Sequence, residues 1–110
     1  MRDDTATGGP ESPLALSCRL PEGEAGPRRV EVGELFAQAI GRRATDDGVE
    51  LDYPGDDATA RGLLDFVLFE RRCCVEVTYQ LIFKPDHSLV RLRLSGPGPL
   101  AAAVREWAGL

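Results

Sequence analysis

The stretch Leu63–Val77, LLDFVLFERRCCVEV, is where the fold is decided, because an apolar pattern of helical spacing gives way within it to a pattern of strand spacing. On a helix turning about 100° per residue, Leu63, Val67, Glu70 and Cys74 share one stripe, with Phe66 and Cys73 to one side of it. From Val75 the period becomes two: Val77, Tyr79, Leu81 and Phe83 point one way, and Glu76, Thr78, Gln80 and Lys84 the other. A helix of about Ala58 to Arg72 followed by a strand is therefore expected, with Asp56 or Asp57 as its N-cap.

Working outward, KPDHS turns the chain after the strand, and Val90, Leu92 and Leu94 alternate with Arg91 and Arg93 in a second one. The two read as an antiparallel hairpin with one face on the core and one in water. SGPGP breaks it, Pro99 suits the first position of a helix, and Leu100, Ala103, Val104 and Trp107 form the apolar stripe of that helix, with Trp107 as its core anchor. Upstream, Val49, Leu51 and Tyr53 form a short strand closed by Pro54 and Gly55. Before it, Val32, Leu35, Phe36, Ala39 and Ile40 recur at helical spacing up to Gly41. In LALSCRL the residues Leu14, Leu16, Cys18 and Leu20 alternate, which makes a strand whose Cys18 faces the core. Residues 1–13 are polar and rich in Asp, Thr, Gly and Pro, the composition of a disordered leader. The expected organisation is one domain over residues 14–110, of α+β class: a mixed, mainly antiparallel four-stranded sheet with three helices in the order β-α-β-α-β-β-α.

Composition narrows the function. A chain of 110 residues has room for a single core, and its 43% hydrophobic content suits a globular domain. A net charge of -5 argues against a nucleic-acid partner, which needs a basic surface. No apolar run is long enough to span a bilayer, and the polar N-terminus is no secretory signal, so a cytoplasmic location and no membrane partner are expected. In that compartment thiols stay reduced, and the three cysteines point to core filling, metal binding or redox chemistry rather than a structural disulfide.

Cys73 and Cys74 fall at a helix C-terminus, where the dipole and Glu70 disfavour a thiolate, and Arg71 and Arg72 offset this in part. A metal that displaces the thiol protons would overcome that cost. Cys18 is the only further thiol, and thiolates select soft ions, with mercuric or cuprous ion suited to few ligands. A zinc site wants four ligands, and the single histidine, His87, lies in the hairpin turn far from the cysteines. No motif calls for an organic cofactor. Other readings stand beside these: Cys18 as plain core, Glu70 paired with Arg91 or Arg93, His87 as a solvated turn residue, and Asp56 with Asp57 as a helix start.

The combination of ALSCRL, FERRCC, the alternating strand after it and LRLSGP before the last helix resembles a group of small bacterial proteins. Their pattern is a Cys-containing first strand, then Glu-Arg-x-Cys-Cys, then a hairpin ending in Gly-Pro, and some are encoded beside mercury-resistance genes. The likeness covers most of residues 14–108. A fainter similarity links the Cys-Cys and following strand to organomercurial lyases, which use two cysteines and an acid to break a carbon–mercury bond. The resemblance implies a heavy-metal thiol site on Cys18, Cys73, Cys74 and Glu70. The chain departs from the small-protein pattern at Glu76, where an aromatic residue is usual, and the lyase likeness does not extend beyond this segment. Three function classes follow, in this order: a soft-metal binding protein, with Glu70 supporting the thiolates; a thiol enzyme, redox or lyase-like, with Glu70 as the catalytic proton donor; and an interaction domain whose cysteines are packing.

Overall fold

The computed structural model describes residues 31–110. The leader expected over 1–13 and the strand expected around Cys18 lie outside the described residues. Helical residues 31–37 (α1) lead into β1 (Gly41–Thr45), β2 (Gly48–Pro54), α2 (Asp57–Cys73), β3 (Thr78–Phe83), β4 (Leu89–Ser95) and α3 (Pro99–Trp107). The class is α+β, and the four described strands form an antiparallel sheet in the order β1-β2-β4-β3.

Alternation on β2 and β4 sets the core face. Val49, Leu51 and Tyr53 lie opposite Leu94, Leu92 and Val90, and all six are buried. Leu94, Leu92 and Val90 in turn face Tyr79, Leu81 and Phe83 of β3. One face of the sheet is thus apolar over three strands, and burying such a face is the main source of stability for a domain of this size. β4 lies between β2 and β3, so the chain must cross from β2 to β3, and α2 makes that crossing.

Each helix starts for a local reason. Asp56 caps α2: its carboxylate accepts from the Thr59 N–H at 2.8 Å and from the Thr59 hydroxyl at 2.9 Å. Those bonds, led by the one from the Thr59 N–H, hold the Asp56 carboxyl below its ordinary range. In α3, Pro99 occupies the first turn, where its missing N–H costs nothing. Residues on the core side of α3, Leu100, Ala101, Ala103 and Val104, are buried.

Several expectations need correction. The helix before β1 ends at residue 37, so Ile40 lies beyond it and is 65% exposed; its N–H donates to the Asp52 carbonyl at 2.7 Å. The strand Gly41–Thr45 was not expected, because GRRAT carries no apolar alternation and is held by backbone pairing to β2. β3 starts at Thr78, not Val75: Val75 and Glu76 sit in a turn closed by the Val77 N–H donating to the Cys74 carbonyl at 3.2 Å. Phe83 holds the core-face register opposite Val90, yet it ends β3 and is 65% exposed.

On the opposite sheet face the chain sets charge against charge. Asp52 accepts from Arg43 through both carboxylate oxygens at 3.1 Å, and from Arg91 at 2.7 and 3.4 Å. Arg43 and Arg93 also reach Glu50, and Arg93 reaches Asp47. Arg91 and Arg93 are thereby committed to these carboxylates, which excludes them as the Glu70 partners considered above. α3 ties down the turn between β1 and β2: the Arg105 guanidinium donates to the carbonyls of Thr45, Asp46 and Gly48. Arg42 donates to the Ala108 carbonyl at 3.0 Å, joining the same hairpin to the end of α3. No helix among the described residues is long and apolar enough to cross a membrane.

The Asp52 pair has a definite acid signature. Arg91, seconded by Arg43, holds the Asp52 carboxyl at about 2, below its ordinary 3.8. A carboxyl depressed in the folded state adds stability that is present above its unfolded value and lost as pH falls through the folded one. Asp52→Asn should therefore lower stability at neutral pH by about 1–2 kcal/mol, a range that discounts for the exposed Arg43, and flatten the acid limb of a pH series of denaturant melts. A Cβ at Gly48 would strike the Leu94 carbonyl, so Gly48→Ala should cost about 1–3 kcal/mol in the same melts as β2 and β4 are forced apart.

Candidate functional site

Three helices meet over the sheet through aromatic rings, and this packing positions the cysteines. Phe66 of α2 sits at the centre: its ring lies 5.6 Å from Phe36 of α1, 6.1 Å from Trp107 of α3 and 6.2 Å from Tyr79 of β3. Phe36 and Trp107 also meet at 5.1 Å, edge to face. Trp107 itself is only partly buried and packs against the core from its rim. Edge-to-face ring pairs add about 0.5–1.5 kcal/mol each beyond the area they bury.

Phe66 fixes the rotation of α2. The buried positions of the helix are Leu63, Phe66, Glu70 and Cys73, a run at spacings of three and four. Val67, expected on the central stripe, is only half-buried, and Phe66 and Cys73, expected to one side, occupy the inner face. Cys74 is buried too, but as the residue that ends the helix. Its backbone leaves helical geometry (φ -108°, ψ 76°) while its N–H still donates to the Glu70 carbonyl at 2.7 Å. Both thiols are therefore enclosed at one place, Cys73 at 5% and Cys74 at 3% exposure.

Glu70, one turn before the thiols, is buried at 4% exposure. A carboxyl in such surroundings is costly unless other groups compensate it. The Cys73 thiol turns back along the helix and donates to the Phe69 carbonyl at 3.6 Å. Arg71 and Arg72 occupy the last turn of α2, on its exposed side.

Tyr79 completes the corner, and the sequence reading did not single it out. Its ring packs edge-on against Phe66, and its hydroxyl is buried without a hydrogen-bond partner. Burial, then the nearby Cys74, Glu70 and Cys73, push its phenol far up, so the hydroxyl keeps its proton. An unsatisfied buried hydroxyl costs about 1–3 kcal/mol, and a phenylalanine would make the same ring contacts without it. The only trace of this in the sequence is a tyrosine on a strand face otherwise made of Val77, Leu81 and Phe83. By contrast the buried Tyr53, whose phenol burial pushes up to about 12, donates its hydroxyl to the Leu35 carbonyl at 2.9 Å.

The described residues thus bring Glu70, Cys73, Cys74 and Tyr79 into one corner. Cys18, the expected third thiol, lies outside the described residues. Among the described residues no three His, Cys, Asp or Glu side chains form a group able to hold a metal ion. His87 is exposed in the turn Pro85–His87, and both it and Asp86 adopt positive φ. Asp56 and Asp57 serve as helix cap and first-turn carboxylate, as expected. No family model, curated protein or solved structure matches the chain.

Because Phe66 touches rings of α1, α3 and β3, its removal should loosen the whole corner. Phe66→Ala is expected to cost about 3–5 kcal/mol in a denaturant melt and to raise the alkylation rate of Cys73 and Cys74 in the folded state. Unchanged alkylation would show that the ring packing does not enclose the thiols.

Proposed function

We propose that the protein binds a soft thiophilic metal ion, mercuric or cuprous, through Cys73 and Cys74, for sequestration or transfer in the cytoplasm. Cys18, outside the described residues, is the chain's one further thiol, and Glu70 lies one turn before the pair on α2. The observation that carries this reading is the enclosure of two adjacent thiols beside a buried carboxyl at the end of α2. Thiolates select soft ions, and mercuric or cuprous ion is content with two sulfur ligands. Binding a divalent ion displaces the two thiol protons, which favours it over a free thiolate at a helix C-terminus. Packing by itself would account for two buried cysteines, since free cysteine behaves as a small hydrophobe. It does not account for the unsatisfied Tyr79 hydroxyl in the same corner.

The burial of Glu70 favours one second reading, a thiol enzyme acting on an organomercurial cation. A Cys thiolate would hold the mercury and Glu70 would deliver a proton to carbon. The carbon–mercury bond would break, the hydrocarbon would leave, and the mercury would remain on sulfur.

The test is a titration of the reduced full chain with mercuric, cuprous and zinc ions, joined to an organomercurial turnover assay. Metal binding predicts about one equivalent of soft ion, weaker zinc, and an affinity change of about 10- to 100-fold at most in Glu70→Gln. The enzyme reading predicts turnover that falls on the order of 100-fold or more in that variant while mercuric binding stays nearly intact. Equal or tighter zinc binding would overturn the soft-metal reading, and neither binding nor turnover would leave the cysteines as packing.

A further inference from the structure

We infer that the free edge of β3 is an interaction surface for a second copy of this chain. The two β3 strands pair antiparallel about a two-fold axis at Gln80 and join two four-stranded sheets into one.

The sheet ends in β1 and β3, and the two edges differ. β1 is short and carries Arg42 and Arg43, a common way of blunting an edge against pairing with another chain. β3, TYQLIF, contains no charged residue, proline or glycine. Its backbone groups are also placed for pairing. The Lys84 N–H donates to the Leu89 carbonyl at 3.0 Å, and the β3–β4 register continues from that pair, so bonded and non-bonded pairs alternate from there. The N–H and C=O groups of Gln80 and Ile82 therefore point to β4. Those of Tyr79, Leu81 and Phe83 point the other way, where the described residues hold no further strand.

Charge selects the partner and the register. Glu76, in the turn that enters β3, and Lys84, just past its end, are both exposed and lie four residues either side of Gln80. With Gln80 opposite Gln80, Glu76 of each copy comes beside Lys84 of the other, and opposite charges across a strand pair attract. The same register sets Tyr79 opposite Leu81, so their outward backbone groups bond reciprocally. It also sets Phe83, 65% exposed, opposite Val77 on the core face. A slip of two residues would keep the backbone bonds but lose both charge pairs, and a slip of one would turn the apolar face outward.

The helix above this edge supplies a matching flank. α1 lies on the β2 side of α2, since the Leu35 carbonyl accepts from Tyr53 of β2 and Phe36 meets Trp107 of α3. Gly62, Asp65 and Phe69 line the cleft that α2 shares with α1. At about 100° per residue, Ala60, Leu64 and Val67 fall on the other flank of α2, toward the free edge of β3. Leu64 is 46% exposed there, and the same flank of the second copy covers it once the sheets join.

The test is sedimentation of the full chain with the end charges reversed. Wild type should dimerise, more weakly at high salt. Glu76→Lys and Lys84→Glu each place like charges together at both ends of the pairing and should weaken the dimer by about tenfold or more. Both positions are exposed, so the melt of the dilute monomer should not move. An equimolar mixture of the two variants should regain the wild-type affinity as a heterodimer, because each supplies the charge that the other lacks. A dimer indifferent to both substitutions, or a mixture no tighter than the single variants, would overturn the inference. So would a wild-type chain that stays monomeric at its highest soluble concentration. Protection of the Tyr79 and Leu81 amides from hydrogen exchange in that monomer would place another segment of the same chain on the edge instead.

Discussion

The packing of the Phe66 ring is the constraint on which the rest of the described structure depends. It touches α1 through Phe36, α3 through Trp107 and β3 through Tyr79, so one side chain joins three helices to the sheet. Ring contacts of this kind have directional preferences, unlike aliphatic burial, and they select one rotation of α2 among several that its apolar residues would allow. That rotation carries Glu70 and Cys73 to the inside and delivers Cys74 to the end of the helix, enclosed against β3.

The two faces of the sheet are stabilised by different means. The inner face is aliphatic and aromatic, and its stability comes from area removed from water. The outer face arranges Arg43, Glu50, Asp52, Arg91 and Arg93 across β1, β2 and β4, with Asp52 between two guanidinium groups. Exposed ion pairs contribute little individually, but the bidentate geometry at Asp52 links three strands through one partly shielded carboxylate. Arg105 adds a third device, since it satisfies carbonyls of the β1–β2 turn from α3 and fixes the angle between hairpin and helix.

Against these stabilising arrangements, the corner at the end of α2 runs the other way. The buried Tyr79 hydroxyl, without a hydrogen-bond partner, costs stability, and a phenylalanine of similar shape could replace it. Polar groups kept at such a cost tend to mark sites where chemistry is done, because catalytic and binding groups need the low dielectric that makes them unfavourable in the resting state. Two enclosed thiols, Cys73 and Cys74, lie in the same corner.

The sequence by itself determined the elements whose signal is local. The α2 helix and the strand that follows it, the Asp56 cap, the Pro99 start and the β3–β4 hairpin follow from spacing within one element, where side-chain direction is set by backbone geometry alone. Only the tertiary structure decided the rest. β1 has no apolar alternation, so nothing but its backbone pairing with β2 makes it a strand. Asp52 meets Arg91 because the strand order brings β4 beside β2. Phe83 keeps the core register and still faces solvent, since the end of β3 runs past the buried core. In each case the deciding partner is far away along the chain, and closing the sheet, rather than any local period, brings the two together.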